Sequence, residues 1–134
     1  MSIWKKVTSS AVAKDVKLDV LEKALANMNL SLNKNIKTLK NSYGSSKCFA
    51  AIVNKENNKT TNVGIDFTKD KGLEVVGDLW CSGLKFGDGG HQALLDTIAH
   101  HYQVEHITAV GEQELWQVSR KNVNGKVELE LVRY

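Results

Sequence analysis

The chain has 134 residues, 42% hydrophobic and 25% charged, with 18 Lys and Arg against 15 Asp and Glu for a formal net charge of +3. This is the composition of an ordinary globular domain and excludes a disordered tail or a disulfide scaffold, because Cys48 and Cys81 have no C-x-x-C spacing and read as reduced, buried small hydrophobes. No apolar run approaches the roughly 18 residues of a spanning helix, and the opening MSIWKKVTSS lacks the layout of a secretion signal, so a cytoplasmic protein with no membrane contact is expected.

At this length one domain, residues 1–134, is expected, removing roughly two-thirds of its unfolded surface from water. Ile3 to Val7 read as a first strand. Between Asp15 and Met28 the positions Leu18, Leu21, Leu25 and Met28 repeat at three and four, predicting a first helix. Asn27, Asn29 and Asn33 favour its end, since short amide side chains tolerate left-handed backbone. A strand near Ile36 to Lys40 follows. The run CFAAIV from Cys48 to Val53, a polar turn over Asn54 to Lys59, and the alternation of Val63, Ile65 and Phe67 predict a hairpin. The turn chemistry of Lys69 to Gly72 then leads into Leu73, Val75, Val76 and Leu79, so three consecutive strands form an antiparallel meander.

Beyond the loop holding Gly83, Gly87, Gly89 and Gly90, the positions Leu94, Leu95, Ile98 and Tyr102 line one face of a second helix. Two strands flanking Asn124-Gly125, Leu115 to Val118 and Lys126 to Val132, form a hairpin with Val127, Leu129 and Leu131 on one face. The expected fold is α+β: a mainly antiparallel sheet with two helices packed on one face, ferredoxin-like with added strands.

Three passages give the chain a resemblance: Val75-Val76-Gly77-Asp78-Leu79 before a loop with Trp80, the helix Leu94 to Tyr102, and Gln117-Val118 leading through Asn124-Gly125-Lys126-Val127 to Leu129 and Arg133. In this order they resemble the hypothetical chloroplast reading frame 35 family, a domain of unknown function also found in bacteria and phages. The likeness covers roughly the last 60 residues, and the Lys- and Asn-rich stretch from Asn33 to Asn58 does not align with the family. It implies the fold and a non-enzymatic adaptor or binding role, with a phage origin in prospect, and transfers no reaction.

The residues themselves offer several candidate sites. Gly87-Asp88-Gly89-Gly90 ahead of His91 is placed to offer backbone N–H groups and a helix start to an anion or nucleotide, with Lys47 as a counter-charge. It lacks the Lys-Ser/Thr of a P-loop, and a flexible loop leading to a helix cap is the plainer reading. Lys34, Lys37 and Lys40 form a candidate nucleic-acid patch, weighed against a solvated lysine face; the small net charge makes nucleic acid the lesser partner. Trp80, Trp116, Phe49 and Phe67 read as core anchors rather than base-stacking platforms.

Asp96 and His100 share a helix face four residues apart, either as an acid–base dyad or, more ordinarily, as a surface pair. His91 and His100 project to opposite sides at roughly 100° per residue, and no ligand spacing for zinc is present, so neither a metal nor another cofactor is expected. No catalytic constellation emerges. The expected function is therefore a small non-catalytic cytoplasmic binding or adaptor protein with a protein partner, a nucleotide being the alternative ligand. Pairing of copies through an exposed edge strand near Tyr134 is left open.

Overall fold

The computed structural model describes residues 4–9, 16–41, 44–68, 72–79, 82–86, 90–113, 116–123 and 126–133. In chain order the elements are β1 (Trp4–Ser9), α1 (Leu18–Asn27), β2 (Leu30–Asn33), β3 (Thr38–Asn41), β4 (Gly44–Lys47), β5 (Ala50–Asn54), β6 (Lys59–Thr68), β7 (Gly72–Asp78), α2 (His91–Gln113), β8 (Trp116–Val123) and β9 (Lys126–Arg133). The α+β class follows as expected. Among the described residues no helix is long and apolar enough to cross a membrane.

Helix α1 forms because Val20, Leu21, Ala24 and Leu25 fall on one side and are all buried, while Asp19 in the first turn complements the helix dipole. Its first turn is tied to α2 by the Lys17 N–H, which donates to the Tyr102 hydroxyl at 3.0 Å. The helix ends where its asparagines favour an end: Asn29 takes φ +59° and its N–H bonds the Ala26 carbonyl at 3.0 Å. The chain does not then run as a loop to the Ile36 region. It enters β2, a four-residue strand whose brevity hid it from periodicity.

The main sheet has the order β1-β7-β6-β5-β2, and every pairing is antiparallel. The meander β5–β6–β7 is thus the centre, and β1 and β2 are its two edges. Four antiparallel steps leave β1 and β2 pointing the same way, so α1 carries the chain across the full breadth of the sheet. This corrects the ferredoxin-like expectation, because three strands separate β1 from β2 and the strand after the second helix does not return to the sheet. β8 pairs instead with β9 as a separate hairpin, in register from Trp116 opposite Arg133 to Val123 opposite Lys126. The turn Asn124-Gly125 lies outside the described residues, as do Lys69 to Lys71.

Side-chain parity divides the sheet into two faces. Ile52, Val63, Ile65, Leu73 and Val75 join α1 and the α2 stripe Leu94, Leu95, Ile98 and Tyr102 in one core. On the other face Ala51 and Val76 pack with Leu39 and Cys48 in a second, smaller cluster edged by Ile36. The β3–β4 hairpin supplies this second cover, which is why a Lys- and Asn-rich segment carries Ile36 and Leu39. Gly64 makes room for it: a Cβ there would lie 2.7 Å from the Cys48 Cβ and 2.9 Å from a Leu39 methyl.

Two polar devices hold the meander. The β5–β6 register shifts between Ala51 and Val53, and buried Thr61 satisfies what that irregularity frees, donating to the Ile52 carbonyl at 2.8 Å while its oxygen accepts the Val63 N–H at 3.3 Å. On β7, Gly77 has φ +128°, and a Cβ would stand 2.2 Å from the Asn62 carbonyl oxygen. Buried Glu74 is met from β1 by the Thr8 hydroxyl at 3.2 Å and the Lys6 ammonium at 3.4 Å.

Gly77→Ala is expected to cost about 3 kcal/mol or more, since it adds both backbone strain and a clash with main chain. Thr61→Val should cost about 1–3 kcal/mol by stranding buried backbone groups. Urea unfolding followed by circular dichroism measures both, and a Gly77→Ala midpoint equal to that of the unaltered protein would contradict the strained geometry.

Candidate functional site

Where α1 gives way to β2, the main chain turns sharply at Asn29 and leaves Met28 and Leu30 on either side of the turn. Across from them the segment after β7 is held by Asn54, a buried amide at the end of β5. Its Nδ2 donates to the Ser82 carbonyl at 3.4 Å, and its Oδ1 accepts the Glu56 N–H at 3.1 Å. Ser82 in turn accepts the Leu84 N–H on its hydroxyl at 3.2 Å. Gly83, at φ +74°, lets the chain pass so close to Asn54 that a Cβ would sit 2.9 Å from its amide nitrogen.

Leu84 and Phe86 are thereby presented opposite Met28 and Leu30. The space between them is a cleft of about 250 Å³, closed by Thr97 of α2 and rimmed by Glu56 and Lys85. Its walls are apolar and half-buried, and its two charges are exposed and of opposite sign. Such a cleft can hold an apolar group with water or a polar group at the mouth. Among the described residues that line it, none forms a nucleophile–base pair.

The candidate anion loop is only partly within the described residues: Gly87, Asp88 and Gly89 lie outside them. Gly90 accepts the Leu94 N–H as the first carbonyl of α2. His91 is fully buried. Its ring contacts the Gly77 carbonyl at 2.7 Å through Nε2; that oxygen can only accept, so Nε2 is the donor, and among the described residues Nδ1 has no partner. His91 therefore fastens α2 to the sheet. Lys47 ends β4 in the hairpin on the opposite face of the sheet, so the structure does not bring it to the start of α2.

The three N-terminal lysines do not make one stripe. Lys34 pairs with Glu22 of α1. Lys37 donates to the Phe49 carbonyl at 2.8 Å and lies 4.4 Å over the Phe49 ring, which itself packs on Phe67 at 4.9 Å. Lys40 is exposed on β3. Asp96 and His100 do not meet either: Asp96 accepts from the Gln92 amide at 2.8 Å, and the His100 Nε2 accepts the Val127 N–H at 3.1 Å. His100 is thus a docking point for the β8–β9 hairpin and must be neutral at Nε2 to accept that bond.

Among the described residues no three His, Cys, Asp or Glu side chains converge to hold a metal. Trp80 and Cys81 lie outside those residues. Burial pushes the Cys48 thiol above its ordinary value, Asp66 adds to this, and Lys37 opposes it. The cleft residues Met28, Leu30, Asn54, Leu84 and Phe86 escaped sequence reasoning because they come from three separated segments. The nearest signal was the left-handed Asn29 that brings the first two together. No family model, curated protein or solved structure matches the chain.

Two measurements check this electrostatic picture. Burial lowers the His101 imidazole below the ordinary histidine range, His100 lowers it further, and Glu105 opposes them. The unfolded chain then binds more protons between that depressed value and about pH 6.5, so stability is complete above the window and is lost as pH falls through it. The melting temperature should drop as pH is lowered from about 7 toward 5, with a shallower slope in His101→Gln. Cys48 should react with a thiol reagent only on unfolding, read by peptide mass mapping.

Proposed function

We propose that the protein is a small, non-catalytic cytoplasmic binding or adaptor protein that acts by protein contact, taking an apolar anchor side chain of its partner into the cleft between Met28–Leu30 and Leu84–Phe86. The observation that carries this reading is the cleft itself. At about 250 Å³ it falls short of the roughly 300–1,000 Å³ of sites that enclose small molecules. It is sized instead for a single large side chain of the kind that dominates protein interfaces.

Its construction supports the same reading. The walls are apolar and the rim is polar and charge-balanced.

The test is capture of partners from a lysate by the tagged protein and by Leu84→Asp, with Met28→Glu as a second variant on the opposite wall. A specific partner recovered by the unaltered protein should be lost about tenfold or more in both, at a cost of 1–3 kcal/mol or more in binding free energy. Melting curves establish that the variants fold. Capture unaffected by either variant, or a nucleotide that raises the melting temperature while no protein is captured, would overturn the reading.

A further inference from the structure

The register of β2 leaves it with an open backbone edge immediately beside the cleft. The Lys55 N–H donates to the Asn29 carbonyl at 3.2 Å, which makes the pairs Ser31–Val53 and Asn33–Ala51 the hydrogen-bonded ones along the β2–β5 ladder. Leu30 and Leu32 alternate with them, so their N–H and C=O groups point away from β5. Among the described residues no strand lies on that side, because β2 ends the sheet. None of the hydrogen bonds of the described residues outside the regular ladders uses these four groups.

Recesses border this one strand on both faces of the sheet. Leu30 and Leu32 face the helices, and Leu30 is a wall of the apolar cleft. On the opposite face Ser31, Asn33, Asn58 and Thr60 line an open polar recess of about 500 Å³. A strand laid antiparallel along β2 sends successive side chains alternately to these two faces. The geometry points to an occupant whose chemistry is specified by both: an extended peptide segment of a partner protein, apolar opposite Leu30 and Leu32 and polar opposite Ser31, bound by main-chain hydrogen bonds to Leu30 and Leu32.

The charged residue on the recess is paired within the fold. Lys34 is neutralised by Glu22, so the edge does not select a charged strand. Four residues of pairing are few for a stable dimer, which usually buries more than about 1,000 Å²; a short linear segment needs less. This inference rests on the protein-contact reading and names the form the partner takes.

Amide hydrogen exchange on isotopically labelled protein tests it, with acetylated peptides Lys-Thr-X-Ser-X-Thr-Lys as probes, each X being Leu, Val, Ile or Phe. In the free protein Leu30 and Leu32 amides should exchange fast while Ser31 and Asn33 are protected. At millimolar concentration at least one probe should slow Leu30 and Leu32 by about tenfold, and the same probe methylated on the backbone nitrogen of both X residues should not. Because the methylated probe leaves the protein unaltered, folding of a variant is not at issue.

Slow exchange at Leu30 and Leu32 in dilute free protein would overturn the open edge, and slowing that rises with protein concentration alone would assign the edge to a second copy. No slowing with any probe would overturn strand addition. If Leu84→Asp still abolishes capture in that case, the cleft reading stands and only the inference fails; if capture was never cleft-dependent while the probes protect the edge, the reverse holds.

Discussion

A strand buried along its whole length needs a cover on each of its faces, and β7 is such a strand, with all seven residues from Gly72 to Asp78 buried. The rest of the architecture answers that requirement. Two helices supply one cover with a large apolar core, and the β3–β4 hairpin supplies the other with a small one. Glycines mark two close approaches: Gly64 beneath the hairpin, and Gly77 within the sheet, where β7 meets the β6 main chain and its carbonyl takes the His91 ring. A side chain at Gly64 would push the hairpin off the sheet and one at Gly77 would collide with the β6 main chain, which explains why the strands tolerate residues that otherwise weaken strands.

Covering both faces leaves the edges as the places where the sheet meets its surroundings. β1 lends Thr8 and Lys6 to the buried Glu74 carboxylate and is thereby committed to the fold. The side-chain tie of β2 is an exposed one, the Asn33 amide donating to the Thr60 hydroxyl at 3.3 Å. Its Leu30 and Leu32 side chains serve the core, yet half of its backbone groups face outward, next to a cleft whose two walls are chain segments more than fifty residues apart. Asn54 is the link, since one buried amide fixes both the turn after β5 and the segment after β7. The position of the cleft follows from the hydrogen bonds of a residue that does not itself need to touch a partner.

Much of the fold was legible in the residues. The meander, α1, α2 and the terminal hairpin all announce themselves by periodicity, and the asparagine end of α1 by its tolerance of positive φ. β2 was not legible, because Leu30-Ser31-Leu32-Asn33 is too short for alternation to stand out from chance. The segment from Asn33 to Lys47 was opaque for a different reason: its aliphatic content is two residues, Ile36 and Leu39, and only the sheet they cover gives them meaning. The histidines illustrate the limit on sites. Helical angles separate His91 from His100 correctly, but nothing local distinguishes a fully buried anchor from a solvent-facing ligand group.

By itself the sequence determined the α+β class, the antiparallel centre and the helix faces, because those depend on apolar spacing within single segments. Tertiary structure decided which strands became edges, that the second face of the sheet is closed by a polar-looking hairpin, and that Met28, Leu30, Leu84 and Phe86 share a cleft. Those outcomes depend on long-range pairing and on hydrogen bonds such as Asn54 to Ser82, whose partners are brought together only when the sheet has formed.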